Sequence, residues 1–194
     1  INSATDTLLK KEFDSYREIQ APHPLMVEHR INAIPFQHPE LDAWRANFTG
    51  VQVHHAETNL TITGAIDDVW ITPAGRLLVV DYKSTSTTKP ITLEGKWKES
   101  YKRQMEVYQW LLRQNGFDVS DIGYFVYVNA DTLLDAFNGQ LIFQTHLLKH
   151  SGDDRWVEPT IVAAHACMSA DEAPDANEQC EWCAYRRAAV DEGV

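Results

Sequence analysis

The nine residues LLVVDYKST, 77–85, constrain this chain more than any other stretch. Leu77, Leu78, Val79 and Val80 form an unbroken, branched apolar run of the kind found where a strand is buried on both faces. Such a strand ordinarily continues apolar or stops at a turn. This one runs straight into Asp81, Tyr82 and Lys83. Upstream, TPAGR at 72–76 is turn chemistry, and NLTITGAIDDVWI at 59–71 alternates Leu60, Ile62 and Ile66 before the apolar Val69–Ile71. These features predict one strand over 59–71, bulged at Gly64, returning through the turn into residues 77–84.

With the turn centred on Ala74, paired residue numbers sum to 148, so Asp67 lies opposite Asp81. Opposed residues of an antiparallel pair share a face, with Cβ atoms about 4.5–5.5 Å apart. Two like charges that close destabilise a sheet and raise a pKa. A divalent cation between them reverses the balance, and two carboxylates with water make a hard oxygen set suited to Mg²⁺ or Mn²⁺. Strand period puts Lys83 on the face of Asp81, about 6.6 Å further along. An ammonium there can orient a water nucleophile and stabilise an anionic transition state at phosphorus. An Asp-x-Lys triplet by itself more often closes a strand with a surface ion pair; the opposed Asp67 turns the reading toward chemistry. The same arithmetic leaves Asp68 on the other face, as a structural residue.

The remaining pattern supplies the scaffold. Leu8, Leu9, Phe13 and Tyr16 predict an amphipathic helix over 5–19, ended by APHP at 21–24. Residues 31–50 read as irregular, with WRANFTG a short helix or turn closed by Gly50, and Val51, Val53 and His55 start a strand. A helix over 97–114 carries the stripe Tyr101, Met105, Tyr108, Leu111 and Leu112 and is capped by Asn115-Gly116. On it, Gln104 and Tyr108 share a face at i, i+4 spacing. Strands follow over 122–129 and 140–148, then a helix over 157–168 with Pro159 in its first turn. This order implies an α/β fold around a mixed sheet. At 194 residues the chain suits one domain over 1–194, with a cysteine-containing C-terminal segment from about 165 to 194.

No apolar run approaches the roughly 18 residues of a membrane helix, and INSATDTLLKKEFDSYR has no apolar signal core. The expectation is a cytoplasmic protein without a membrane. A net charge of −11 argues against coating nucleic acid by charge alone. Residues 83–103, however, hold six bases and two acids, a local +4 that leaves −15 for the rest. Lys96, Trp97, Lys98, Lys102 and Arg103 are the candidates for a phosphate-contacting edge, with Trp97 placed to stack on a base. The alternative is a solvated helix face.

GAIDDVWITPAGRLLVVDYKST followed by QMEVY resembles the PD-(D/E)XK nuclease superfamily, and within it the RecB-type nuclease domain and the CRISPR-adaptation nucleases related to it. The matching elements are Gly64-Ala65-Ile66-Asp67, Asp81-Tyr82-Lys83 and Gln104-Met105-Glu106-Val107-Tyr108, in the family's order. The resemblance implies a restriction-endonuclease-like core, a central mixed β-sheet flanked by helices. It also implies cleavage of DNA phosphodiesters, exonuclease-like, with Mg²⁺ or Mn²⁺. Asp67 and Asp81 would ligate the metal, Lys83 would act in catalysis, and Gln104 and Tyr108 would support the site or the DNA backbone. The family usually adds a His or Glu from the first helix, often within His-x-x-Leu-Glu. Here the parallel is Asp6-Thr7-Leu8-Leu9-Lys10, which nominates Asp6, with Glu12 as the alternative; His54, His55 and Glu57 read as strand-surface residues. Overall acidity suggests a single strand or DNA end as substrate, and a protein partner or further segment with more basic surface. Two rivals stand beside this reading. One is a nucleic-acid-binding or assembly module with a degenerate site, suggested by Asp in place of His. The other is a metal-dependent phosphoesterase acting on small molecules.

Three cysteines in such a chain do not make a disulfide framework. Cys180 and Cys183, in CEWCAYRR, have the spacing of ligands to Zn²⁺ or an iron–sulfur cluster. Several relatives of the resembled family hold such a cluster with one upstream Cys and three near the C-terminus. Here no Cys precedes position 167 and none follows 183. Three readings stay open: further ligands upstream of Ile1, a local Zn²⁺ site made by His165, Cys167, Cys180 and Cys183, or thiols without metal. Either metal would staple the C-terminal segment to the body.

Overall fold

The computed structural model describes residues 2–191. In chain order the elements are α1 (Asn2–Glu18), α2 (Pro24–Glu28), β1 (Ile34–Pro35), α3 (Leu41–Arg45), β2 (Val51–His55), β3 (Leu60–Gly64), β4 (Asp68–Ile71), β5 (Leu77–Thr85), α4 (Glu99–Gln114), β6 (Ile122–Ala130), β7 (Phe143–Ser151), α5 (Val157–Met168) and α6 (Glu181–Asp191). The five-stranded sheet runs β1-β4-β5-β6-β7. Strands β5 and β6 are parallel, and the other neighbours are antiparallel. Parallel neighbours cannot be joined by a tight turn, so the chain between β5 and β6 crosses over through α4. The result is the expected α/β fold, a mixed sheet flanked by helices.

Strand β5 is buried on both sides, as its composition requires. Leu77 and Val79 join Val69, Met105, Leu111 and Phe125 in one core, beneath α4. Leu78, Val80 and Tyr82 join Phe13, Met26, Trp70 and Val126 in the other, beneath α1. The side-chain period of two therefore fixes which helix each residue of β5 faces. Asp81 and Lys83 inherit the α4 side.

Residues 59–71 are not one bulged strand. Strand β3 pairs with β2 in a separate two-stranded sheet, from His55↔Leu60 to Val51↔Gly64. Strand β4 pairs with β5 in the main sheet, and residues 65–67 carry the chain between them. There Ile66 is buried, and its N–H donates to the Trp44 carbonyl at 3.0 Å. Gly64 marks the departure point because the chain passes directly over α4: a Cβ there would lie 2.7 Å from Cε1 of Tyr108. One further element is displaced. The strand expected at 140–148 lies at 143–151, with Leu141 and Ile142 left exposed in the preceding loop. The short α2 and the C-terminal α6 were not expected. The first is set by Pro24 in its first turn and by His23, whose side chain accepts the Leu25 N–H.

Candidate active site

The hairpin register is the one the turn predicts: Asp68↔Val80, Val69↔Val79, Trp70↔Leu78 and Ile71↔Leu77. The ladder stops one rung before Asp67. Its side chain fills that rung instead, with Oδ2 accepting the Tyr82 backbone N–H at 2.8 Å. Asp67 is thereby held beside the C-terminal half of β5, where Asp81 and Lys83 lie.

Asp81 is 2 % exposed. Lys83 Nζ pairs with Asp81 Oδ2 at 2.5 Å. The ammonium has further contacts. It donates to Gln104 Oε1 at 3.1 Å, and Gln104 Nε2 donates to the Tyr108 hydroxyl at 2.7 Å. The Tyr101 ring lies 4.6 Å from the same nitrogen, a cation–π contact that steadies the charge. Burial raises the Asp81 pKa to about 7, Lys83 opposing the shift and Asp67 adding to it. Burial also raises Asp67, against the Tyr82 N–H and Lys10. Burial pushes the Tyr108 hydroxyl well up, so it remains protonated.

Asp68 projects to the opposite face and is structural in every contact. It accepts from the Tyr82 hydroxyl at 2.7 Å, from Arg45 at 3.1 Å and from Arg17. Arg45 also donates to the Asp67 carbonyl at 3.0 Å and to Asp14. The two arginines, invisible to local sequence reading, clamp the Asp67-Asp68 corner to α1 and α3.

Asp6 comes to the mouth of the site. With Lys10, Asn47, Asp67, Lys83 and Tyr101 it lines an open groove of about 500 Å³. It does not point freely at Asp67, because Lys10 Nζ pairs with it at 2.9 Å and stands 3.6 Å from Asp67 Oδ1. Glu12 pairs with His23 instead, and His55 is bonded to Thr58 and Glu158. Lys10 was not singled out from sequence, although its i, i+4 spacing from Asp6 was the available signal.

The basic strip is split. Trp97 is 89 % exposed, and Lys96 and Arg103 are also exposed. Lys98 turns inward, donating to the Tyr127 hydroxyl at 2.9 Å and lying 5.1 Å from the Tyr101 ring centre. Lys102 is paired with Glu99 at 2.7 Å.

A sequence model of the PD-(D/E)XK nuclease superfamily matches residues 2–188. The chain belongs to this superfamily. Among curated proteins and among solved structures, nothing matches it. Membership makes the five-stranded sheet with its helices a restriction-endonuclease-like PD-(D/E)XK fold, and it supports a nuclease-type, metal-using hydrolase. The residues fit a divalent metal. Asp67 and Asp81 offer hard carboxylate oxygens, and Asp81 is buried with its Oδ2 facing the Lys83 ammonium.

Among the described residues, no three His, Cys, Asp or Glu side chains already converge as a ready metal cage. His165 and Cys167 on α5 are thus not gathered with Cys180 and Cys183. That pair opens α6, where the Cys183 N–H donates to Cys180 Sγ at 3.1 Å. No helix among the described residues is long and apolar enough to cross a membrane.

Proposed function

We propose that this PD-(D/E)XK protein is a Mg²⁺- or Mn²⁺-dependent deoxyribonuclease acting, exonuclease-like, on single-stranded DNA or DNA ends. The observation that carries this reading is the buried Asp81 carboxylate paired with Lys83, beside Asp67, where Lys83 and Asp67 line an open groove. Asp67 and Asp81 would hold the metal, which when bound supplies a more acidic water and positive charge at the scissile phosphate. Lys83, kept in place by Asp81, Gln104 and Tyr101, offsets negative charge at phosphorus as the water oxygen bonds to it and the sugar oxygen departs. The water gives up one proton and the leaving oxygen gains one. Gln104 and Tyr108 are positioning residues that act through Lys83.

Exposed Trp97 offers a stacking platform for an unpaired base, while Lys96 and Arg103 offer charge along the backbone. The acidic remainder of the chain favours limited contact, with a partner or further segment supplying more basic surface. The Cys180–Cys183 pair would staple the C-terminal segment through Zn²⁺ or an iron–sulfur cluster with ligands beyond the pair; metal analysis of the purified protein tests this.

A second reading, a nucleic-acid-binding module that does not cut, is favoured by the pairing of Asp6 with Lys10. End-labelled single- and double-stranded DNA incubated with Mn²⁺ decides between them. The nuclease reading expects cleavage by wild type and none by Asp81→Ala or Lys83→Ala. DNA binding by wild type without any cleavage would overturn it, and cleavage retained in both variants would place the chemistry elsewhere.

A further inference from the structure

We infer that Lys10 is a built-in counter-cation of the acid cluster, and that a divalent metal must displace it to bind. The inference rests on the assignment of Asp67 and Asp81 as the metal-binding acids. Its own support is the position of one ammonium. Lys10 Nζ lies 2.9 Å from Asp6 Oδ2 and 3.6 Å from Asp67 Oδ1, bridging the first helix to the hairpin.

An i, i+4 Asp–Lys pair on a helix surface contributes little by itself. This one differs because its lysine leaves the helix surface. The Lys10 side chain is only 21 % exposed, and it also contacts a second carboxylate from another element. The other nearby cations are already committed. Arg17 and Arg45 pair with Asp14 and Asp68 on the far side of the hairpin, and Lys83 is committed to Asp81.

Charge balance gives the direction of the effect. With all three acids ionised, Asp6, Asp67 and Asp81 against Lys10 and Lys83 leave a single negative charge in the metal-free site. A divalent cation added with Lys10 in place would leave the site positive. With Lys10 gone it would be neutral. Because like charges a few ångströms apart repel strongly in a half-buried groove, binding and departure are linked. The same departure frees Asp6, so Lys10 also withholds the third carboxylate. Lys10 therefore weakens the site's affinity for metal and keeps the acids paired when metal is scarce.

The test is Mn²⁺ titration by calorimetry on the full chain, comparing wild type with Lys10→Met, Lys10→Gln, Lys10→Arg and Asp81→Asn. The neutral Lys10 variants should bind Mn²⁺ about tenfold more tightly, and Lys10→Arg should stay within about twofold of wild type. Unchanged or weaker binding by both neutral variants would overturn the inference. So would equal tightening by Lys10→Arg, since the effect would not then follow charge. Asp81→Asn separates the two levels. If it abolishes binding while the neutral Lys10 variants gain nothing, the role of Lys10 fails alone. If it binds like wild type, the assignment of the metal site itself fails.

Discussion

Asp67 accepts the backbone N–H of Tyr82 at 2.8 Å, one rung beyond the last paired residues of the hairpin, Asp68 and Val80. A carboxylate here does the work of a strand backbone. It satisfies a donor that the ended ladder would leave open, and it fixes Asp67 against β5 without Asp67 belonging to a strand. One oxygen is used for the fold, while the other stays toward Lys10 and the groove. The two acids of the site are therefore held differently. Asp81 is buried in a strand, and Asp67 is bent over a strand end.

Burial of Asp81 makes metal-free stability depend on pH. Its carboxyl is raised to about 7 from an ordinary 3.8, so between those values the folded protein holds a proton that the unfolded chain has lost. Stability from this group is then highest below pH 3.8, falls as pH rises across the window, and levels off above about 7. Asp81→Asn removes the titration. In EDTA the variant should be the more stable protein at pH 8, by up to about 4 kcal/mol, with the gap closing toward pH 4. Urea unfolding at pH 4.5, 6 and 8 measures it. A gap that does not change with pH would refute the assignment.

On the opposite face, Asp68 is fully buried between Arg17, Arg45 and the Tyr82 hydroxyl. Asp68→Ala leaves two guanidiniums without their shared acceptor and should cost about 3–5 kcal/mol. Tyr82→Phe removes one neutral donor and should cost only about 1–2 kcal/mol. Chemical denaturation compares them. Equal losses would mean that the arginines are satisfied by Asp14 alone.

The contrast between these acids shows what the sequence could reveal. Strand β5, its turn and the register from Asp68↔Val80 to Ile71↔Leu77 were readable because each depends on neighbours within one hairpin, although the ladder ends before the expected Asp67–Asp81 pair. The period of two also separated Asp68 from Asp81 correctly. What Asp68 pairs with was not readable, since Arg17 lies 51 residues away and Arg45 lies 23 away. The break at 65–67 was hidden for a related reason. Ile66 continues the apolar alternation, but the chain changes sheets because α4, contributed later in the sequence, lies beneath Gly64. Strand β7 was displaced by three residues because it is an edge strand, where one side lacks a neighbour to enforce alternation. Asp6 follows from the resemblance to the family's first-helix motif, and i, i+4 spacing could have paired it with Lys10, but the contact of Lys10 with Asp67 needs the hairpin in place.

Trp97 separates binding from folding. Its side chain is almost wholly exposed at the start of the segment leading into α4. Trp97→Ala should leave unfolding stability within about 0.5 kcal/mol. Under the nuclease reading it should weaken binding of a single-stranded oligonucleotide by about 1–3 kcal/mol. Lys96→Ala should instead lower the salt dependence of binding by about one ion. Fluorescence anisotropy at several salt concentrations reads both effects. Full affinity in Trp97→Ala would remove the stacking role.

Gly64 tests whether the fold and the site share one contact. A Cβ at this position would come 2.7 Å from Tyr108 Cε1 and 2.9 Å from Leu111 Cδ1, inside the closest approach that packed atoms allow. Gly64→Ala should therefore force β3 and α4 apart and cost about 1–3 kcal/mol. The strain falls on Tyr108, whose hydroxyl receives the Gln104 amide while Gln104 holds Lys83. Under the nuclease reading, single-turnover cleavage should fall about tenfold even at temperatures where the variant is fully folded, the size expected for a supporting contact. Thermal unfolding and cleavage measured on the same preparation separate the two effects. A stability loss with unchanged cleavage would show that Lys83 keeps its position without Tyr108, leaving Asp81 and Tyr101 to hold it.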